Sequence, residues 1–296
     1  MARQANEPLR EGTQLDEYRI GRLLASGGFS FVYLARGRCG ARYAIKEYLP
    51  ATLKMRPAPD APLSVPPAQR ELFRHGLQCF FAEAKALARL RHPNVVRVAS
   101  FFRANGTAYM AMRYEEGTTL QHHLETDSTP PGESWIRATF ALLLNGLREV
   151  HSNRLVHLDI KPGNVYLRAS GEPMLIDFGA TRAALCAEQA GLPPTYTPGF
   201  AAPEHHGGAG RLGPWSDIYS IGACMYACMT GEAPPPAPER RDADRLAAGL
   251  QPAAGKYSNE LRGIVAACMA LDAEARPKSV LSLQKALLGE LSADAA

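Results

Sequence analysis

His157-Leu158-Asp159-Ile160-Lys161-Pro162-Gly163-Asn164, followed 13 residues later by Asp177-Phe178-Gly179, is the stretch on which the reading of this chain turns. Two acids, a lysine and an asparagine on short loops beside strands are costly to explain as packing. Hard oxygen ligands such as Asn164 and Asp177 suit Mg2+ carrying nucleotide phosphates. Asp159 can then accept a proton from a hydroxyl, and Lys161 can stabilise charge on a transferred group.

Upstream lies Ala25-Ser26-Gly27-Gly28-Phe29-Ser30-Phe31-Val32, between two predicted strands. Small residues in a strand–turn–strand let the backbone close over phosphates and aim its N–H groups at them, although a glycine-containing hairpin is commonplace. Ala44-Ile45-Lys46 occupies the third strand. A lysine in an apolar strand is either a snorkelling edge residue or an inward-facing cation held by a carboxylate. Glu83 can be that carboxylate, because Phe73, Leu77, Phe80, Ala84 and Leu87 recur at helical spacing around it.

The surrounding texture divides the chain. Residues 1–17 read as a flexible lead-in, and β-type runs at 18–24, 31–36, 42–49, 95–102 and 107–114 surround the one helix at 70–91. Six prolines within residues 50–67 require a loop there. After residue 116 the pattern becomes helical: Ile136, Phe140, Leu143, Leu147 and Val150 mark a long amphipathic helix, and further helices are expected at 215–230, 259–270 and 280–291. A short strand pair (165–168 and 174–176) and a Pro-rich link (233–238) interrupt them. The expected units are therefore 18–116, 117–291 and a tail at 292–296.

Composition narrows the class. The 296 residues are 46% hydrophobic and 21% charged, which excludes disorder throughout, and their net charge of +4 comes with no dense basic run of the kind nucleic-acid binders use. Six cysteines show no CxxC or zinc spacing, so reduced, mostly buried thiols are expected, Cys224 and Cys228 sharing one helix face. His122-His123 and His205-His206 are read as surface polar residues. Residues 218–229 form the longest apolar stretch, too short to cross a bilayer, so membrane contact is not expected from this segment.

Taken in order, the glycine-containing loop, the strand lysine, H-x-D-x-K-P-x-N, D-F-G and Ala202-Pro203-Glu204 resemble the signature set of the eukaryotic-type protein kinases. Phrases such as AIKEYLP (44–50), NGTAY (105–109), LIDFGA (175–180) and GPWSDIY (213–219) are similar to the bacterial Ser/Thr branch. The resemblance runs over residues 18–291. It implies an α+β, bilobal protein-kinase-like fold, with a small β-rich N-lobe holding one key helix and bound to ATP, and a larger α-helical C-lobe for catalysis and substrate.

The resemblance also implies roles. Lys46 would contact the α/β-phosphates and pair with Glu83; Asp159 would be the catalytic base, Asn164 and Asp177 the metal ligands, and Lys161 a γ-phosphate contact. Ala25, Ser26, Gly27, Gly28, Ser30, Val32, Ala44, Met112 (the gatekeeper), the hinge Arg113-Tyr114-Glu115 and Tyr166 would surround the nucleotide. Phe178 and Gly179 complete the D-F-G element. Thr197 would brace the catalytic loop, Glu204 would pair with Arg276, and Asp217 would anchor the loop from a core helix.

The departures are specific. Ala25 and Ser30 stand at the first and third glycine positions, which implies modestly weaker nucleotide affinity. Leu158 replaces the arginine that in the family receives activation-loop phosphate, so switching through phosphate on Thr195 is not expected. The expected activity is protein Ser/Thr kinase, using ATP with Mg2+ or Mn2+ on protein substrates and itself, in the cytoplasm. The alternatives are a pseudokinase that binds nucleotide or partners, and a small-molecule kinase; the A-P-E element argues against the latter.

Overall fold

The structure is a computed structural model in which residues 5–59, 61–127, 129–178, 196–206 and 211–289 are described. Gly179, Thr195 and the tail at 292–296 lie outside the described residues. Contacts divide the chain into two compact units. The first comprises the residues up to Arg91 together with Val96–Glu115, and the second begins with His92–Val95 and continues from Glu116.

The first unit is built on an antiparallel sheet of β1 (Gln14–Leu15), β2 (Tyr18–Ser26), β3 (Ser30–Arg36), β4 (Arg42–Tyr48), β5 (Val98–Ala104) and β6 (Thr107–Arg113), ordered β1-β2-β3-β4-β6-β5. Alternation sets its faces: Phe31, Tyr33 and Ala35 of β3 are buried while Ser30, Val32, Leu34 and Arg36 are more open. Helix α1 (Arg70–Leu87) buries the expected row Phe73, Leu77, Phe80, Ala84 and Leu87, and Glu83 with it. At Gly76 the helix lies directly against the phenol of Tyr48, so any side chain there would overlap the ring. Cys79 of α1 departs from the expectation of reduced thiols, being disulfide-bonded.

The sequence reads the first residues as a flexible lead-in; the structure instead buries Asn6, Leu9 and Leu15. The reason is complementarity with the proline-rich loop after β4, whose backbone has no strand partner. Asn6 donates to the Pro50 carbonyl at 3.0 Å and accepts from the Met55 and Arg56 amides at 2.7 and 2.9 Å. Arg56 then enters the interior and meets Glu47, which also accepts the hydroxyls of Tyr33 and Tyr109, each at 2.7 Å.

The second unit holds a small antiparallel sheet of β7 (Gly117–Thr119), β8 (Val165–Arg168) and β9 (Pro173–Leu175). Its helices are α2 (Leu120–Thr126), α3 (Glu133–Ser152), α4 (Pro214–Thr230), α5 (Ala237–Asp242), α6 (Leu246–Gly249), α7 (Asn259–Cys268) and α8 (Val280–Leu288). Nearly every residue of α4 is buried, as expected of a helix apolar on all sides. Pro214 opens it and Gly231, at φ 78°, closes it in the left-handed conformation. Gly222 lets α4 approach α7 so closely that a Cβ would lie 2.5 Å from that of Cys268.

Two boundaries differ from the sequence reading. Val95 belongs to a single parallel bridge with Leu175 instead of starting β5, because Pro93 and Asn94 turn the chain toward β9: the Leu175 amide donates to the Asn94 carbonyl at 2.9 Å. The Pro-rich link ends early, since Pro238 sits in the first turn of α5, where a missing N–H costs no helical bond. Cys224, Cys228 and Cys268 are free, buried thiols, and burial pushes the last two up to about 12. Among the described residues no helix is long and apolar enough to cross a membrane.

Candidate active site

In the first unit, strand register assembles one half of the predicted set. Val32 faces Lys46 across β3–β4, Lys46 faces Met110, Ala44 faces Met112, and Ala25 faces Val32. The two possibilities open for Lys46 resolve: its ammonium points inward, 3.4 Å from Glu83 Oε1, and both residues are buried. An opposite charge is what makes a lysine tolerable there.

The turn between β2 and β3 closes with the Gly27 amide on the Ser30 carbonyl at 2.9 Å. The carbonyls of Gly28 and Phe29 accept the amides of Ala51 and Leu49 at 2.7 and 2.9 Å, so the segment following Lys46 holds the turn from outside. Ser26 pairs with Phe31 across the hairpin. Beyond β6, the Tyr114 amide donates to the Arg42 carbonyl at 3.3 Å, with the Arg42 guanidinium over the Tyr114 ring. Arg113 is exposed and Glu115 half-buried.

The second unit gathers the other half around Asp159. Lys161 Nζ donates to Asp159 Oδ2 at 2.8 Å and to the Thr197 hydroxyl at 2.9 Å. Thr197 in turn donates to Asp159 Oδ1 at 3.1 Å. Asn164 spends its side-chain N–H groups on the Asp159 carbonyl and Oδ2, at 2.8 and 2.9 Å. Its Oδ1 is left as the acceptor, and that amide oxygen and the Asp177 carboxylate are both hard oxygen donors of the kind that suits a cation such as Mg2+. Asp177 has a left-handed backbone, φ 58°. Tyr166 lies on β8, half-buried opposite Met174 and Thr119.

The loop carrying Asp159 is tied down from behind. Asp217, fully buried on α4, accepts the amides of His157 and Leu158 at 2.8 and 2.7 Å and contacts His151 Nε2 at 2.8 Å. Burial works to raise the carboxyl's pKa, but the hydrogen bonds and charges of His151 and His157 hold it below the ordinary value. Leu158 is buried with φ 63°. His157 packs its ring 4.3 Å from that of Phe178 and reaches the Ile176 carbonyl at 3.2 Å. Farther along, Arg276 grips Glu204 at 2.8 and 3.0 Å, and Ser216 donates to the same carboxylate at 2.7 Å.

Two features escaped the sequence reading. His151, at the end of α3, is a partner of the anchor aspartate; a histidine six residues before His157 on an amphipathic helix was the signal. His205 is not a surface residue but buried, because the short helix Pro203–His206 turns it inward, and desolvation lowers its pKa.

The sequence profile of the protein kinase domain family matches residues 18–287. The chain belongs to the protein kinase family. Among bacterial relatives, the serine/threonine-protein kinase PknK of Mycobacterium tuberculosis is 33% identical over 76% of this chain and 18% of its own length. The serine/threonine-protein kinase pkn2 of Myxococcus xanthus is 30% identical over 93% of this chain and 32% of its own. The kinase chain thus spans less than a third of these curated relatives. A solved structure, PpkA-294 in its apo form, superposes with a TM-score of 0.85 at 31% identity, covering 94% of this kinase and 99% of that chain. This kinase is of the eukaryotic type and resembles the bacterial Ser/Thr branch.

Proposed function

We propose that this kinase transfers the γ-phosphoryl group of Mg-ATP to serine and threonine hydroxyls of protein substrates, itself included, in the cytoplasm. The observation that carries the reading is the restraint on Asp159: three side chains, Lys161, Asn164 and Thr197, converge on one carboxylate. Such a carboxylate is oriented before substrate arrives, and preorganisation is where most of the acceleration of phosphoryl transfer originates.

In this reading Mg-ATP, when bound, supplies the phosphoryl group and a cation that neutralises its charge. Asn164 and Asp177 would hold that cation. Lys46, fixed by Glu83, contacts the α/β-phosphates, with Ala25, Ser26, Gly27, Gly28 and Ser30 covering them. Val32, Ala44, Met112, Arg113, Tyr114, Glu115 and Tyr166 contact the base. Asp159 accepts the proton of the attacking hydroxyl, and Lys161 neutralises charge on the phosphoryl group in transit. Glu204 and Arg276 hold the segment after Thr197 in place.

The test is to incubate the protein with Mg-ATP and a generic basic protein and read phosphate gain by intact mass, beside Asp159→Asn. Phosphate on serine or threonine with the native chain alone supports the reading. Nucleotide binding without any transfer would replace it with a pseudokinase.

A further inference from the structure

The register of the first sheet places three arginines in one row. Arg19 of β2 is directly opposite Arg36 of β3, and Arg36 is directly opposite Arg42 of β4. Directly opposed residues project from the same face, so three arginine side chains form one row across that face of the sheet, and like charges so placed repel. Arg22 joins them around a cavity of about 470 Å³, whose wall also includes Gly12, Gly21 and one carboxylate, Glu11. Among the described residues, none of Arg19, Arg22 and Arg36 forms an ion pair with a carboxylate, whereas nearby Arg38 does so with Glu17 at 3.4 Å.

Even without Arg42, three arginines against one glutamate leave the wall with an excess of two positive charges. The scaffold is firm: the Gly12 amide donates to the Ile20 carbonyl at 2.7 Å and the Ile20 amide to the Thr13 carbonyl at 2.9 Å, fixing the turn that closes the cavity against β2. We infer that this cavity is a binding site for a compact phosphoryl anion, separate from the residues assigned to nucleotide. The guanidinium fork matches the paired oxygens of phosphate, and a dianion or larger anion relieves more of the row's repulsion than a single carboxylate would. The same chemistry is presented by a free polyphosphate and by a phosphorylated side chain of a protein.

The experiment titrates pyrophosphate and, separately, a phosphothreonine peptide into the native kinase, the Arg19→Gln/Arg36→Gln double variant and Lys46→Met, by calorimetry at fixed salt. The expected result is that one probe binds the native protein, that the double variant weakens it tenfold or more, and that Lys46→Met leaves it unchanged. Tighter binding of pyrophosphate names a free anion as the occupant, and tighter binding of the peptide names a phosphoprotein. The inference is overturned if neither probe binds, if the double variant binds as well as the native chain, or if Lys46→Met abolishes binding. Arg36→Gln alone, without ligand, should raise the melting temperature; a fall would remove the repulsion on which the inference stands. None of these readouts needs phosphoryl transfer, so they fail independently of the proposed activity.

Discussion

Glu47 and Arg56 form a two-point ion pair, 2.7 Å on each arm, with both side chains closed off from solvent. Glu47 follows Lys46 on β4, so the two consecutive charges serve opposite faces of one strand: Lys46 toward α1, Glu47 toward the loop that Asn6 clamps. Removing one partner of such a pair strands a buried charge. Arg56→Met is expected to lose about 3–5 kcal/mol in thermal or urea unfolding. Combining it with Glu47→Gln, which neutralises the stranded group, should recover part of that loss; no recovery would mean that packing of the arginine stem, not charge, was responsible.

Thr197 gives a sharper test of the site than Asp159 itself. Its hydroxyl donates to Asp159 and accepts from Lys161. Thr197→Val keeps the shape and removes both bonds, and kcat should fall about a hundredfold, the scale set by misplacing a reacting group by an ångström. Thr197→Ser restores the hydroxyl and should restore most of kcat, with KM for ATP nearly constant in both. If serine is as poor as valine, the bracing role is wrong.

Gly76→Ala sets two effects against each other. Helix propensity alone favours alanine by about 1 kcal/mol. The new methyl, however, overlaps Tyr48, whose ring is buried, stacked on Phe73 at 5.5 Å and tilted against Phe80 at 5.8 Å, and so has nowhere to go. Overpacking should win, with a net loss of about 1–3 kcal/mol. Since relief means moving α1 away from β4, the Lys46–Glu83 pair should loosen and kcat/KM for ATP should fall as well.

His205 makes stability depend on pH. Burial disfavours its cation and lowers its pKa below 6.5, the charges of Glu204 and Asp217 offsetting only part of this. As pH falls through 6.5 the unfolded chain takes up the proton first, so its contribution is complete above that value and declines toward the lower folded-state pKa. Comparing Tm at about pH 7 and about pH 5.5, His205→Leu should narrow the difference seen in the native kinase. His92 and His206, also lowered by burial, act in the same direction. An unchanged difference would exclude His205 as the titrating group.

Local patterns were legible wherever a residue's neighbours in sequence were also its neighbours in space. The α1 row from Phe73 to Leu87, the β2–β3 hairpin and the Asp159–Asn164 loop are all of this kind. What depended on distant chain was not. Nothing near Asn6 shows that it caps amides 49 and 50 residues away. His205 carries a polar side chain into the interior, against the pattern that marks surface positions. The arginine row is invisible until register is known, because shifting β3 by one residue would send Arg36 to the other face.

Asp217 holds the catalytic loop by two consecutive main-chain amides, those of His157 and Leu158, and not by their side chains. A grip of that kind does not use the side chain of residue 158. With leucine at that position, the loop stays moored to α4, nearly all of which is buried. Under the proposed function, the anchoring of Asp159 through this loop runs along the main chain and bypasses the side chain of residue 158.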